Sequence, residues 1–323
     1  MRRHLNEGWT HSFRRNCILT IGEECNLRQE IKGAILVIFS AFVFGLNPLL
    51  AKSVYTTGCN PFTLTFLRMI FGTLGMWVIQ IVFLRGNLSI RICDLRKLIL
   101  CSAGYAITPL LLYSSYNYLD SGVATTLHFI YPVLVFGGCI IFYHEKPEPG
   151  KLFCCGLCMA GILCFFSPGG IINIRGIMIA LSSGVFFAFY VVYLAKSGLT
   201  QLPPFCLGFW LCATSAVIVG IPLILMGQTS FPVSPDGWLL AIVFSFLCCC
   251  LGTVAFQIGT RLVGPENASL LSTFEPLTSV VIGILYYHET PTLRSFLGIV
   301  CILAAVFLLS LQNTKSKAKV VTN

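Results

Sequence analysis

Along the chain, apolar residues come in ten runs divided by short polar breaks, at roughly 33–52, 61–84, 98–119, 121–143, 152–166, 177–195, 204–225, 238–261, 267–287 and 296–311. A helix of about 20 apolar residues crosses the hydrocarbon core of a bilayer. No water reaches that core, so every backbone amide must be satisfied within the segment, and runs of this kind read as helices. Pro and Gly interrupt several runs, as membrane helices tolerate where neighbours satisfy the freed groups. The pattern predicts an all-α membrane protein of ten transmembrane helices. Residues 1–32 are polar and mixed in charge. Their apolar stretch Cys17-Ile-Leu-Thr-Ile-Gly22 is too short for a signal-peptide core, so a retained N-terminal tail is expected. Residues 312–323 form a basic C-terminal tail.

The chain also repeats itself. At a shift of 144 positions Leu50-Ala-Lys-Ser53 recurs as Leu194-Ala-Lys-Ser197. At the same shift Ala124, Leu127, Pro132, Tyr143, His144, Glu145 and Pro147 meet Ala268, Leu271, Pro276, Tyr287, His288, Glu289 and Pro291. Gly33 and Ser40 meet Gly176 and Ser183 at a shift one residue smaller. Two five-helix halves follow, 33–166 and 176–311, joined by 167–175. Five is odd, so the second half enters the membrane from the opposite face, and the halves form an inverted-topology pair. Repeats of this kind give two nearly equivalent arrangements that expose a central site to each side in turn. The twice-written Tyr-His-Glu-x-Pro reads as a turn into the next helix: an interfacial tyrosine, a carboxylate before the helix dipole, and a proline at helix entry.

Composition agrees: 56% of residues are hydrophobic and 10% charged, against about 25% charged in a soluble domain. Basic residues are divided unevenly between the loops. With the N-terminus cytoplasmic, the inner segments hold 17 Lys and Arg: six up to Lys32, then Arg85, Arg91, Arg96, Lys97, Lys146, Lys151, Lys196, Arg261, Lys315, Lys317 and Lys319. The outer segments hold three, Lys52, Arg175 and Arg294, and Arg68 lies within a span. Positive loops stay inside, so both termini are expected in the cytoplasm of a cell whose plasma or inner membrane holds the chain. The formal net charge of +9 then marks orientation, and no nucleic-acid partner is needed. Most of the sixteen cysteines lie in apolar spans, where Cys acts as a small hydrophobe. Cys155-x-x-Cys158 lacks the second pair or nearby His that would complete a metal site. His144-Glu145 and His288-Glu289 lack the second His of a metalloprotease, with Glu148 and Thr292 in its place, and no phosphate-binding loop or catalytic triad occurs. No enzyme, cofactor or metal is expected.

Function therefore rests on polar residues inside the spans, where a charge costs about 2.5–3.5 kcal/mol on insertion scales. Glu275 lies nine residues beyond Glu266, about 13 Å into the ninth run, with Ser269, Ser272, Thr273, Pro276 and Ser279 nearby. A carboxyl at that depth can exchange protons or bind a cationic group. Arg68 follows Pro61 by two turns and has three possible roles: snorkelling to the interface, pairing with Glu275, or meeting a substrate anion. His128 and Tyr131 share a face of the fourth run, and Tyr131 is the repeat mate of Glu275. Asn47, Tyr113, Tyr116, Tyr190 and Gln257 add uncharged donors, acceptors and aromatic faces. Pro48, Pro132 and Pro276 loosen their helices as hinges.

The Pro61-x6-Arg68 opening, the segment Ala268-Ser-Leu-Leu-Ser-Thr-Phe-Glu-Pro276 and the Tyr-x-Glu-x-Pro ends of the fourth and ninth runs resemble the EamA-like branch of the drug/metabolite transporter superfamily, over about residues 33–311. The resemblance implies cytoplasmic termini and a substrate cavity lined by helices one, three, four, six, eight and nine. The family carries amino acids, nucleotide precursors, sugars, choline and drugs, so the resemblance leaves the substrate open. The uncharged polar and aromatic candidates favour a small polar metabolite, an amino acid or related solute, and the inverted repeat favours alternating access. Export is the preferred direction, with proton coupling through Glu275 or His128 as one mode. A choline-like amine, a sugar, a nucleotide precursor or a drug is the alternative cargo, and a sensor or scaffold the alternative class. The expected partners are a small-molecule substrate and the lipid bilayer, with the chain a monomer or weak homodimer.

Overall fold

A computed structural model describes residues 27–119, 121–146, 148–165, 173–227, 229–286 and 293–321. Ten helices run back and forth through it. They are α1 (Leu27–Tyr55), α2 (Pro61–Phe83), α3 (Ile92–Ser115), α4 (in two pieces, Ser121–His128 and Tyr131–Tyr143) and α5 (Pro149–Phe165). The second half holds α6 (Ile174–Lys196), α7 (Pro204–Leu225), α8 (Pro235–Val263), α9 (in two pieces, Pro265–Leu271 and Phe274–Tyr286) and α10 (Leu293–Val321). Seven of them are long and apolar enough to cross a bilayer, α5 and α10 contain shorter apolar stretches, and α9 is divided. Large apolar side chains such as Phe83, Phe142, Ile174 and Leu225 stand exposed on the outside, as a lipid-facing surface requires.

α1 starts at Leu27, six residues before the apolar run, so Arg28, Gln29 and Lys32 ride on its first turns and belong to the helix rather than to the tail. At the far end of α4 the first Tyr-His-Glu copy is a helix stop. His144 takes a left-handed conformation (φ 52°), its N–H returns to the Cys139 carbonyl, and Glu145 pairs with Lys196. A residue in this conformation at the end of a helix satisfies carbonyls that would otherwise be orphaned. Pro147 and the second copy, from Tyr287 to Pro291, lie outside the described residues.

Two glycine contacts make the inversion visible. A side chain at Gly33 in α1 would strike Leu262 and Val263 at the end of α8; at Gly176 in α6 it would strike Tyr118 and Leu119 after α3. Those pairs are repeat mates at the shift of 144, so the same close helix approach is used twice. It is used at opposite faces. Lys196 at the end of α6 reaches Glu145, and Lys151 at the start of α5 reaches Glu266 at the start of α9. The start of α1 lines one pocket with the end of α8 and the start of α7. These ends share one face, called here the N-terminal face, and Gly176 lies at the other.

Within the bundle α3 packs on α6 and α7, α2 on α7 and α8, and α5 on α10. The broken helices pair crosswise: the first piece of α9 lies on the second piece of α4, and the second piece of α9 on the first piece of α4. Their breaks, at Phe129–Ile130 and Ser272–Thr273, correspond to within one residue in the repeat and precede Pro132 and Pro276. Each proline occupies the second piece where its missing N–H costs nothing. α8 departs from ideal geometry at Phe246–Thr253, a run of wider π turns in which the Thr253 hydroxyl bonds the Cys248 carbonyl five residues back. Such turns inside membrane helices often mark functional sites.

Candidate functional site

Between the broken helices and the α8 wide turns lies a cavity of about 50 Å³. Phe44 and Asn47 of α1, Arg68 of α2, five residues of α3 from Tyr105 to Tyr113, His128 of α4, Phe187 and Tyr190 of α6, Thr253 and Phe256 of α8, and Glu275 of α9 line it. The lining helices are the six expected from the family resemblance, with α2 added through Arg68.

Arg68 is 5% exposed and reaches inward, so the snorkelling expectation fails: its N-capped helix begins at Pro61, and two turns carry the side chain past the interface. Its Nη1 donates to the Tyr113 hydroxyl at 2.7 Å, the guanidinium carbon lies 5.9 Å from the centre of the Tyr105 ring, and Nε has no hydrogen-bond partner. Glu275, 8% exposed, lies in the first turn of the second α9 piece, where the positive end of the helix dipole favours a carboxylate. Among the described residues the ion pairs sit near helix ends, and none joins Arg68 to Glu275. The two make no direct ion pair, although the Arg68 charge acts on Glu275 across the cavity. Cation and anion thus face one cavity without a direct ion pair.

Asn47 follows the break at Leu46 in α1, and its Oδ1 accepts from Cys248. Tyr105 shares a hydrogen bond with Thr253 at 2.9 Å. His128 Nδ1 is 2.8 Å from Ser183 Oγ, and the single hydroxyl proton of Ser183 goes to the Ala180 carbonyl at 2.6 Å. Phe187 forms the hub of an aromatic layer, with ring centres 5.4 Å from His128, 4.6 Å from Tyr131, 5.8 Å from Tyr190 and 5.8 Å from Phe256.

Six of the sequence candidates thus line the cavity: Glu275, Arg68, His128, Asn47, Tyr113 and Tyr190. Tyr131 is buried just behind it against Phe187, and Tyr116 packs on Tyr113 and shares a hydrogen bond with Thr125. Ser272 is spent on the Ala268 carbonyl at the α9 break. Gln257 borders a different space, a vestibule of about 430 Å³ at the N-terminal face, and its amide lies near the Tyr190 hydroxyl without a well-formed hydrogen bond to it. Pro48, Pro132 and Pro276 lie in the first turns of the pieces that follow a break. Sequence reasoning missed Phe44, Tyr105, Thr108, Pro109, Leu112, Phe187, Thr253 and Phe256. One signal was available for two of them: Phe44 and Phe187 are mates at the shift of 143 that relates Gly33 to Gly176.

The EamA-like transporter family model matches residues 31–167 and 174–311, one match for each half. The chain is 27% identical over 301 residues to the uncharacterized transporter YvbV of Bacillus subtilis, covering 90% of this chain and 94% of that one. It is 24% identical to an uncharacterized transporter of Archaeoglobus fulgidus (85% and 95% covered) and 23% to the uncharacterized inner membrane transporter YicL of Salmonella typhimurium (88% and 97%). A solved crystal structure at 18% identity superposes with a TM-score of 0.72 over 87% of this chain and 98% of that one, a likeness of fold.

Proposed function

The chain belongs to the EamA-like transporter family, and from that footing we propose that it carries a small zwitterionic solute, an amino acid or a close relative, across a membrane by alternating access. One observation carries the choice of cargo: Arg68 and Glu275 face the same cavity without pairing to each other. Two buried opposite charges held apart are costly unless something bridges them. A solute with a carboxylate for Arg68 and an ammonium for Glu275 neutralises both at once. A lone cation or a lone anion would satisfy one and strand the other. Tyr105, Tyr113 and Asn47 supply the remaining donors and acceptors, and the aromatic layer around Phe187 offers an apolar wall to a side chain.

About 50 Å³ is far below the 300–1,000 Å³ typical of ligand sites, so this arrangement is the closed one, and admitting cargo requires movement. The crosswise broken helices α4 and α9 are the parts suited to it, because their midpoints lack the continuous hydrogen-bond ladder that stiffens a helix. Orientation follows the charge count, with the N-terminal face in the cytoplasm. Coupling to protons would run through Glu275 or His128.

Counterflow into proteoliposomes tests the reading. Vesicles preloaded with unlabelled amino acids should accumulate the labelled form above the protein-free control, and a pH gradient should change the rate if protons are coupled. Accumulation of a quaternary amine or a sugar instead of any amino acid would overturn the zwitterion. In intact cells, an epitope tag after Lys146 should be reached by antibody only after permeabilisation; a tag reached from outside reverses the orientation.

A further inference from the structure

The vestibule at the N-terminal face carries chemistry that the central cavity does not use. Arg28 and Lys32 from the start of α1 and Arg261 from the end of α8 line it, and among the described residues no acidic side chain does. Its inner wall holds Gln257, which is 2% exposed and whose amide lies near the Tyr190 hydroxyl without a well-formed hydrogen bond. Three like charges on one concavity repel, and a buried amide without a well-formed hydrogen bond is a standing cost. A single ligand relieves both: an anion that accepts from the cations at the rim and from the amide nitrogen at the floor.

We propose that this vestibule binds a phosphate-bearing ligand, with Arg28, Lys32 and Arg261 holding the phosphate and Gln257 closing the site from below. A phosphate offers up to two negative charges and several acceptor oxygens, which suits three cations and an amide; a carboxylate with one charge leaves part of the set unmatched. Arg261 is already oriented, because its Nη2 donates to Gln201 Oε1 at 3.3 Å. Leu202, Leu207, Ile258 and Leu262 form the apolar side of the same space and receive the organic part of the ligand. The phosphate has two possible sources. It is either the headgroup of an anionic lipid, drawn to basic residues at the membrane surface, or a soluble phosphate ester. The site does not depend on the zwitterion reading of the central cavity.

Full-length protein in phosphatidylcholine nanodiscs separates the sources. One arm titrates glycerol phosphate; the other replaces phosphatidylcholine with increasing phosphatidic acid; thermal unfolding reads both, and native mass spectrometry counts retained lipid. A ligand that binds the folded state raises its unfolding temperature. Stabilisation is expected in at least one arm, about tenfold weaker or more in Arg28→Gln/Lys32→Gln/Arg261→Gln and about threefold weaker in Gln257→Leu. It should be unchanged in Arg85→Gln/Arg91→Gln/Arg96→Gln, which removes three exposed charges from the α2–α3 loop and the start of α3. A response to phosphatidic acid alone assigns the headgroup, and a response to glycerol phosphate assigns the soluble ester. Where the vestibule triple variant does not fold, Arg28→Gln, at an exposed position, must weaken binding by itself. No stabilisation in either arm, or equal losses in the two triple variants, overturns the proposal.

Discussion

Glu275→Gln is expected to abolish binding and counterflow of a zwitterionic substrate while leaving the fold intact. The substitution keeps the shape and one acceptor of the side chain and removes only its charge, so it separates charge recognition from hydrogen-bonded structure. A hydrogen bond to a charged group is worth about 1.5–3 kcal/mol, which sets the loss at about 10- to 150-fold in affinity. Stability should hold or rise, because Glu275 is buried without a direct ion pair, and the desolvation cost relieved by removing its charge outweighs the attraction of Arg68 across the cavity. Thermal unfolding and substrate titration on the same purified sample read both effects. Wild-type counterflow in Glu275→Gln would remove the carboxylate from the site. A collapse of stability with the loss of binding would make it a structural group.

Glu275 was legible in the sequence for the reason that makes it testable: a carboxyl in an apolar run is expensive, and the expense needs a reason. Arg68 was legible on the same ground, and the ten helices because the bilayer fixes their length. The aromatic lining was not. When lipid lies on one side of a helix and cavity wall on the other, both faces are apolar and hydrophobic periodicity carries no contrast. Phe187 at the hub of the aromatic layer and Phe189 against lipid, 42% exposed, look alike in the sequence. The wide turn of α8 was hidden as well. Cys248-Cys249-Cys250 reads as inert apolar filler, yet there Cys248 donates to Asn47 and Cys249 touches Tyr105 and the Arg68 carbonyl.

The repeat explains one further mismatch. Tyr113 and Gln257 are mates, and symmetry assigns them one role, but Tyr113 is sealed in the centre with Tyr55 on its carbonyl, whereas Gln257 borders the wide vestibule. Beyond Tyr113 the opposite face is latched by Val233 N–H to the Thr57 carbonyl, by Ser230 N–H to Thr63, and by the Ser230 hydroxyl to the Gly58 carbonyl. Equivalent residues in inequivalent surroundings are what an inverted repeat produces when one face is more open than the other. Sequence gives the equivalence; only a conformation breaks it.

Arg68→Gln should change what the cavity selects rather than simply weaken it. The wild-type set is one cation and one anion, matched to a dipolar solute. Without the guanidinium, Glu275 stands alone, and the cavity favours a cation that lacks a carboxylate. Truncating one partner of a buried charge contact costs about 2–5 kcal/mol, so the zwitterion should lose about 30-fold or more in affinity, while the corresponding decarboxylated amine holds or gains. Arg68→Lys should recover little, because an ammonium cannot reproduce the planar fork that serves Tyr113 and a carboxylate together. The double variant Arg68→Gln/Glu275→Gln completes a thermodynamic cycle. If one solute bridges both side chains, the second substitution costs much less in the background of the first. Independent, additive losses, or equal losses for amine and zwitterion in Arg68→Gln, would mean that the two charges never share a ligand.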